Sequence, residues 1–218
     1  MAAREARLEP SLSLKVGFWA CTVVAVAVVV RRLIALGHPS QINPQLVALD
    51  AAFSSHPALT LAHILPAIAF VLLTPVVLLR RFDAVWPWRL LLALGAMVSI
   101  TAYAMSAYSI GGWVERSAVL FFNSLFLFSL ARAYWYMRRG ESLQKMRLMW
   151  RSVGILLGIA TTRPVMGIFF ATSRLTHLEP SQFFGIAFWI GFSINTITVE
   201  LWLHSANRFA TPLPSRDS

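Results

Sequence analysis

The chain has 218 residues, of which 57% are hydrophobic and only 13% charged, with a formal net charge of +10 and a mean hydropathy of +0.66. This is too apolar for an ordinary soluble domain and marks an integral membrane protein. A basic nucleic-acid binder would gather Lys and Arg on one polar face with accessible aromatics. Here the basic residues sit at the ends of apolar runs, so nucleic acid is set aside as a partner.

Crossing about 30 Å of hydrocarbon takes roughly 20 apolar residues. Six runs meet that length: Leu14 to Leu36, Ala58 to Leu79, Trp88 to Ile110, Ala118 to Met137, Val153 to Thr172 and Phe183 to Leu203. They predict an all-α fold, a polytopic transmembrane helical bundle forming one membrane domain over residues 1–218, with a polar tail over 205–218. The first run holds Cys21, the single cysteine, so no intrachain disulfide is available. Bulky Phe18 and Trp19 before the thiol, and Arg31 and Arg32 after Val30, argue for an uncleaved span rather than a signal peptide.

Between the first two runs, Asn43 can cap a helix with Pro44 at its first position. Ile42, Leu46, Leu49 and Phe53 then share one side, which predicts a short helix on the outer membrane surface. The second run carries His63, Pro66 and Pro75. Trp86-Pro87-Trp88 punctuates the entry to the third, and Gly111-Gly112 beside Trp113 separates the third from the fourth. After Gly140, a helix stop, the basic and Met-rich segment Lys145 to Trp150 leads into the fifth run, and such a segment is expected to meet anionic lipid at the cytoplasmic face.

Thirteen of the nineteen Lys and Arg residues fall on the side of the N-terminus, among them Arg80, Arg81, Arg89, Arg138, Arg139, Lys145, Arg147 and Arg151. Four (Arg31, Arg32, Arg116 and Arg174) fall on the other. The positive-inside rule then places both termini inside, N-in and C-in, in a cell inner membrane. Arg31 and Arg32 dissent unless their stems snorkel outward.

Arg163 lies in the middle of the fifth run, followed at once by Pro164. A guanidinium at the centre of a span costs about 2.5 to 3.5 kcal/mol on insertion scales and normally faces a bundle interior. Pro164 removes the helical hydrogen bond to the Ala160 carbonyl, and Thr161 and Thr162 add hydroxyls nearby. Counting depth at about 1.5 Å per residue puts Asn195 and Asn123 at the height of Arg163, so Arg163, Thr161, Thr162, Asn195 and Asn123 are the candidate ligand-binding set. The same count pairs Arg132 with Glu200 as a buried ion pair nearer the inner surface. His63 and His177 form an outer pair that could hold haem b or a metal, since axial imidazoles ligate haem. No HExxH, Walker loop or nucleophile elbow appears, so an enzyme is the less favoured reading, and no catalytic residue or cofactor is assigned.

The stretch His63-Ile64-Leu65-Pro66-Ala67, Gly111-Gly112, Asn123, the entry Met149-Trp150-Arg151, Thr162-Arg163 and the segment Asn195 to Glu200 resemble an uncharacterised bacterial membrane family, domain of unknown function 2306. The resemblance covers about His56 to His204 and rests on the order of features. It implies a multi-pass bundle and interest in Arg163, Glu200 and His63, but no activity. The chain departs from that family where members carry His-Arg and Gly-Arg at the third span, here Trp88-Arg89 and Leu92-Ala93, and a His before the fifth, here Lys145.

Three functions fit these residues. The first is binding or transport of a small polar or anionic ligand at a midplane pocket around Arg163. The second is a membrane redox protein holding haem b or quinone near His63 and His177. The third is a structural or assembly protein.

Overall fold

The computed structural model describes residues 11–37, 51, 54–80 and 84–208. Six helices make up nearly all of it: α1 (Leu12–Gly37), α2 (Pro57–Arg80), α3 (Val85–Ser106), α4 (Gly112–Arg138), α5 (Ser142–Thr176) and α6 (Pro180–Arg208). Each is long and apolar enough to cross a membrane, and among the described residues there is no strand. The connections from α2 onward are only a few residues long, so consecutive helices run antiparallel. The end holding the start of α1 and the end of α6 is called proximal below, and the opposite end distal.

Lipid tails are as apolar as leucine, so these helices gain little from hiding hydrophobic surface from one another and associate through close packing instead. The α5–α6 pair illustrates this. A Cβ on Gly158 would come within 2.7 Å of the Phe192 ring, and one on Gly191 within 2.6 Å of the Thr162 backbone nitrogen. Only glycine lets the two backbones approach so far. The main core fills the proximal half, where Phe70, Leu91, Phe126, Met149, Trp150 and Ile155 are buried. A smaller cluster of Met166, Phe183, Phe184 and Ala187 fastens α5 to α6 distally. Leu72, Ile100, Phe128, Ile168 and Leu201 remain exposed on the outside, the belt a bilayer would cover.

The six helices correspond to the six expected spans, with differences in extent. α3 stops at Ser106 rather than Ile110, and α4 begins at Gly112 rather than Ala118. Ahead of the apolar run that begins at Ala118, the Glu115 carboxylate in the first turn of α4 accepts the Gly111 N–H at 2.6 Å. That bond satisfies one of the donors a helix start leaves open. α5 begins at Ser142, well before Val153, so Lys145 to Trp150 are helical, with Met149 and Trp150 buried. Gly140 does end α4, at φ +74. Pro164 lies inside α5, and the helix continues past it to Thr176. The expected surface helix around Asn43 and Pro44 falls outside the described residues, as does the tail beyond Arg208; the stretch from Ser205 to Arg208, expected to be tail, completes α6.

Candidate functional site

All six helices contribute to a cavity of about 250 Å³ in the distal half of the bundle. On α5 the lining residues are Ile155, Leu156, Ile159 and Arg163, a single stripe at helical spacing. The antiparallel order sorts the rest of the wall by depth. Its deep end, toward the middle of the bundle, is apolar, formed by Ala25, Val71, Val98, Phe126 and Ile155. Its distal end carries the polar groups, with Arg32 from α1, Thr60 and His63 from α2, Ser106 from α3 and Glu115 from α4. At the rim, His56 stacks against exposed Tyr108 with ring centroids 3.9 Å apart, and its Nδ1 bonds the Ser55 hydroxyl at 2.9 Å.

Arg163 is the outstanding member. Its Nε is buried and has no hydrogen-bond partner, although the side chain lines a cavity large enough for a ligand. Buried N–H donors of a guanidinium are costly to leave without an acceptor. Glu115 lines the same cavity with its Oε2 engaged by Gly111, and Asn123 lies on the wall with its Nδ2 donating to the Ser99 carbonyl at 2.9 Å.

The other expected partners of Arg163 are elsewhere. Thr161 donates to Asn195 Oδ1 at 2.7 Å across the α5–α6 seam, which leaves the Cys21 thiol, 3.8 Å away, to donate to Thr161. Thr162 is buried against Gly191 and donates to the Gly158 carbonyl at 2.9 Å. Neither threonine nor Asn195 lines the cavity. Depth counting sets height but not direction around a helix. Residues two apart, such as Thr161 and Arg163, point about 200° apart.

The expected Arg132–Glu200 pair is corrected for the same reason. Glu200 is bound by Arg151 through both nitrogens of a fork, Nη2 to Oε2 at 2.7 Å and Nε to Oε1. Arg132 shares the outward face of α4 with exposed Phe128, where its Nη2 donates to the Tyr136 hydroxyl at 2.9 Å and its guanidinium lies over Trp135. Arg151, taken from the sequence as a topology-setting charge, is on the face of α5 that meets α6.

The histidine pair is not brought to one site. His63 lines the cavity, with Nδ1 2.9 Å from Thr101 Oγ1. Thr101 Oγ1 also lies 2.7 Å from the Met97 carbonyl of its own helix. His63 and Arg163 thus share the cavity. His177 is exposed at the C-terminus of α5 in a left-handed conformation, φ 53, its N–H bonded to the Ser173 carbonyl at 2.8 Å. Its role there is to end a helix. Among the described residues no three His, Cys, Asp or Glu side chains converge as a metal site.

Sequence reasoning missed Glu115 and Arg32 as members of the site. Glu115 had a signal: an acidic residue in the first turn of a helix meets the open amides there. Arg32 had none beyond its place at the end of the first span. The described residues have the architecture of a multi-pass helical membrane protein with a large cavity in the distal half of the bundle. Comparison with protein-family models, with curated proteins and with solved structures returned no match.

Proposed function

We propose that this protein binds a small anionic or polar ligand in the distal cavity, with Arg163 as the residue that holds it. The observation that carries this reading is the buried, unpartnered Arg163 Nε on the wall of a 250 Å³ cavity. Pockets of this kind, mostly apolar with a few convergent polar groups, are typical of small-molecule sites. The Lys and Arg asymmetry supports an N-in, C-in orientation in a bacterial inner membrane, with the cavity toward the outer side and anionic lipid at the basic cytoplasmic end. The order of motifs from His63 to Glu200 supports kinship with the family named above.

Purified protein in nanodiscs of zwitterionic lipid provides the test. A panel of monoanions should include one that raises the melting temperature of the wild type and leaves that of Arg163→Gln unmoved. A panel in which every anion acts equally on both proteins rejects the reading.

A further inference from the structure

We infer that the ligand is a single-chain anionic amphiphile, seated with its charged head at Arg163 and its tail pointing toward the middle of the bundle. This rests on the anion-binding reading above and deepens it by naming the ligand class.

Polarity is distributed unevenly along the cavity. Every charged group on its wall (Arg32, Glu115 and Arg163) belongs to the distal half, together with His56, His63 and Tyr108. Below them the wall is hydrocarbon, formed by Ala25, Val71, Val98, Phe126 and Ile155, apart from Asn123, whose Nδ2 already donates to the Ser99 carbonyl. A free inorganic anion or a small hydrophilic acid would use only the upper part and leave the lower part empty. Empty apolar volume is costly, because its lining loses dispersion contacts.

Length gives the second step. On α2 the lining runs from Leu59 to Val71, and on α4 from Glu115 to Phe126. At 1.5 Å per residue each is roughly 16 to 18 Å, more than half of a hydrocarbon core about 30 Å thick. The cavity therefore has the depth of one bilayer leaflet, with polar groups at one end and apolar ones near the middle. An amphiphile in the distal leaflet has the same polarity profile and direction. It could enter Arg163's reach without turning over and without drawing its tail through water.

The third step concerns access. α1 packs against α2 and α5, and only Thr22, Ala25, Arg32 and Ala35 of its residues are buried. Two of these four, Ala25 and Arg32, line the cavity. The wall most lightly held by the bundle is thus the one between the cavity and surrounding lipid, and a lipid-borne ligand would enter there.

Two photoreactive hexadecanoates separate the alternatives, one with a diazirine beside the carboxylate and one with it at the chain end, applied to the protein in phosphatidylcholine nanodiscs. The chain-end probe should label Val71, Phe126 and Ile155, and the head-end probe the neighbourhood of His63 and Ser106. Excess hexadecanoate should abolish both sets of adducts, while hexadecanol, which lacks the charge, should leave them in place. Arg163→Gln should lower the yield about tenfold or more, the loss expected for one charge-assisted contact, and Arg163→Lys should restore part of it.

Adducts confined to the lipid-facing residues Leu72, Ile168 and Leu201, or a reversed head and tail pattern, overturn the inference. Protection by acetate or inorganic phosphate as strong as by hexadecanoate, and lost in Arg163→Gln, overturns the amphiphile and leaves the anion site standing. Labelling insensitive to both Arg163→Gln and hexadecanol competition overturns both. If the glutamine variant does not fold, the comparison of hexadecanoate with hexadecanol on the wild type decides alone.

Discussion

Arg151 and Arg163 lie on the same helix, twelve residues and so about 18 Å apart, and they do opposite things with the same side chain. At the proximal end Arg151 grips both carboxylate oxygens of Glu200 and ties α5 to α6. Farther along, Arg163 faces a cavity with its Nε unpartnered. The first arrangement joins both nitrogens of the fork to a carboxylate; the second leaves the Nε donor without an acceptor. A charge inside a membrane protein therefore has to be judged by whether its hydrogen bonds close, since the side chain alone would treat these two residues alike.

That contrast can be broken by substitution. Glu200→Gln should have the largest effect, about 2 kcal/mol of stability, between the values for exposed and for fully buried pairs because both partners are partly accessible. Unfolding in detergent should show Arg151→Gln/Glu200→Gln losing less than the sum of the single changes, while Arg132→Gln adds independently. Coupling of Glu200 to Arg132 but not to Arg151 would refute the pairing. Next comes Glu115→Ala, expected to cost about 1.5 kcal/mol through the exposed start of α4. Hydrogen exchange at the Gly111 amide should accelerate, and unchanged protection would mean that this carboxylate does not hold the helix start.

Two smaller effects sharpen the distal side. Thr161→Val removes the donor to Asn195, and interhelical hydrogen bonds in membranes average about 0.6 kcal/mol. The melting temperature should fall slightly and anion binding should persist; a loss of binding would return Thr161 to the site. Arg163→Gln should be the mildest for folding, within about 0.5 kcal/mol of the wild type, since it removes a group whose bonds are not closed. A loss as large as that of Glu200→Gln would place Arg163 among the structural pairs.

How much of this could be read from the chain follows from what each inference required. The six spans were legible because membrane crossing is a matter of length and apolar content, both one-dimensional properties. Arg163 was legible as a position for its cost. Its surroundings were not, because partner choice depends on rotation about the helix axis, which residue counting leaves undefined. Thr161 and Thr162 adjoin Arg163 in sequence, yet one bonds Asn195 and the other Gly158. Arg132 and Arg151 lie at similar depth, and only Arg151 faces α6. Glu115 lies just ahead of the apolar run that begins at Ala118, so apolar content did not mark the turn of helix it holds.

Trp150 meets Phe18 and Trp202 edge-on, with Met149 and Leu203 buried beside it, and this packing fills the proximal half beneath the cavity. The space above it is a pouch with a floor. A ligand of the kind proposed above would have to leave the way it came, and its occupancy would then follow the concentration on one side of the bilayer. Passage to the far side would first require that aromatic floor to come apart.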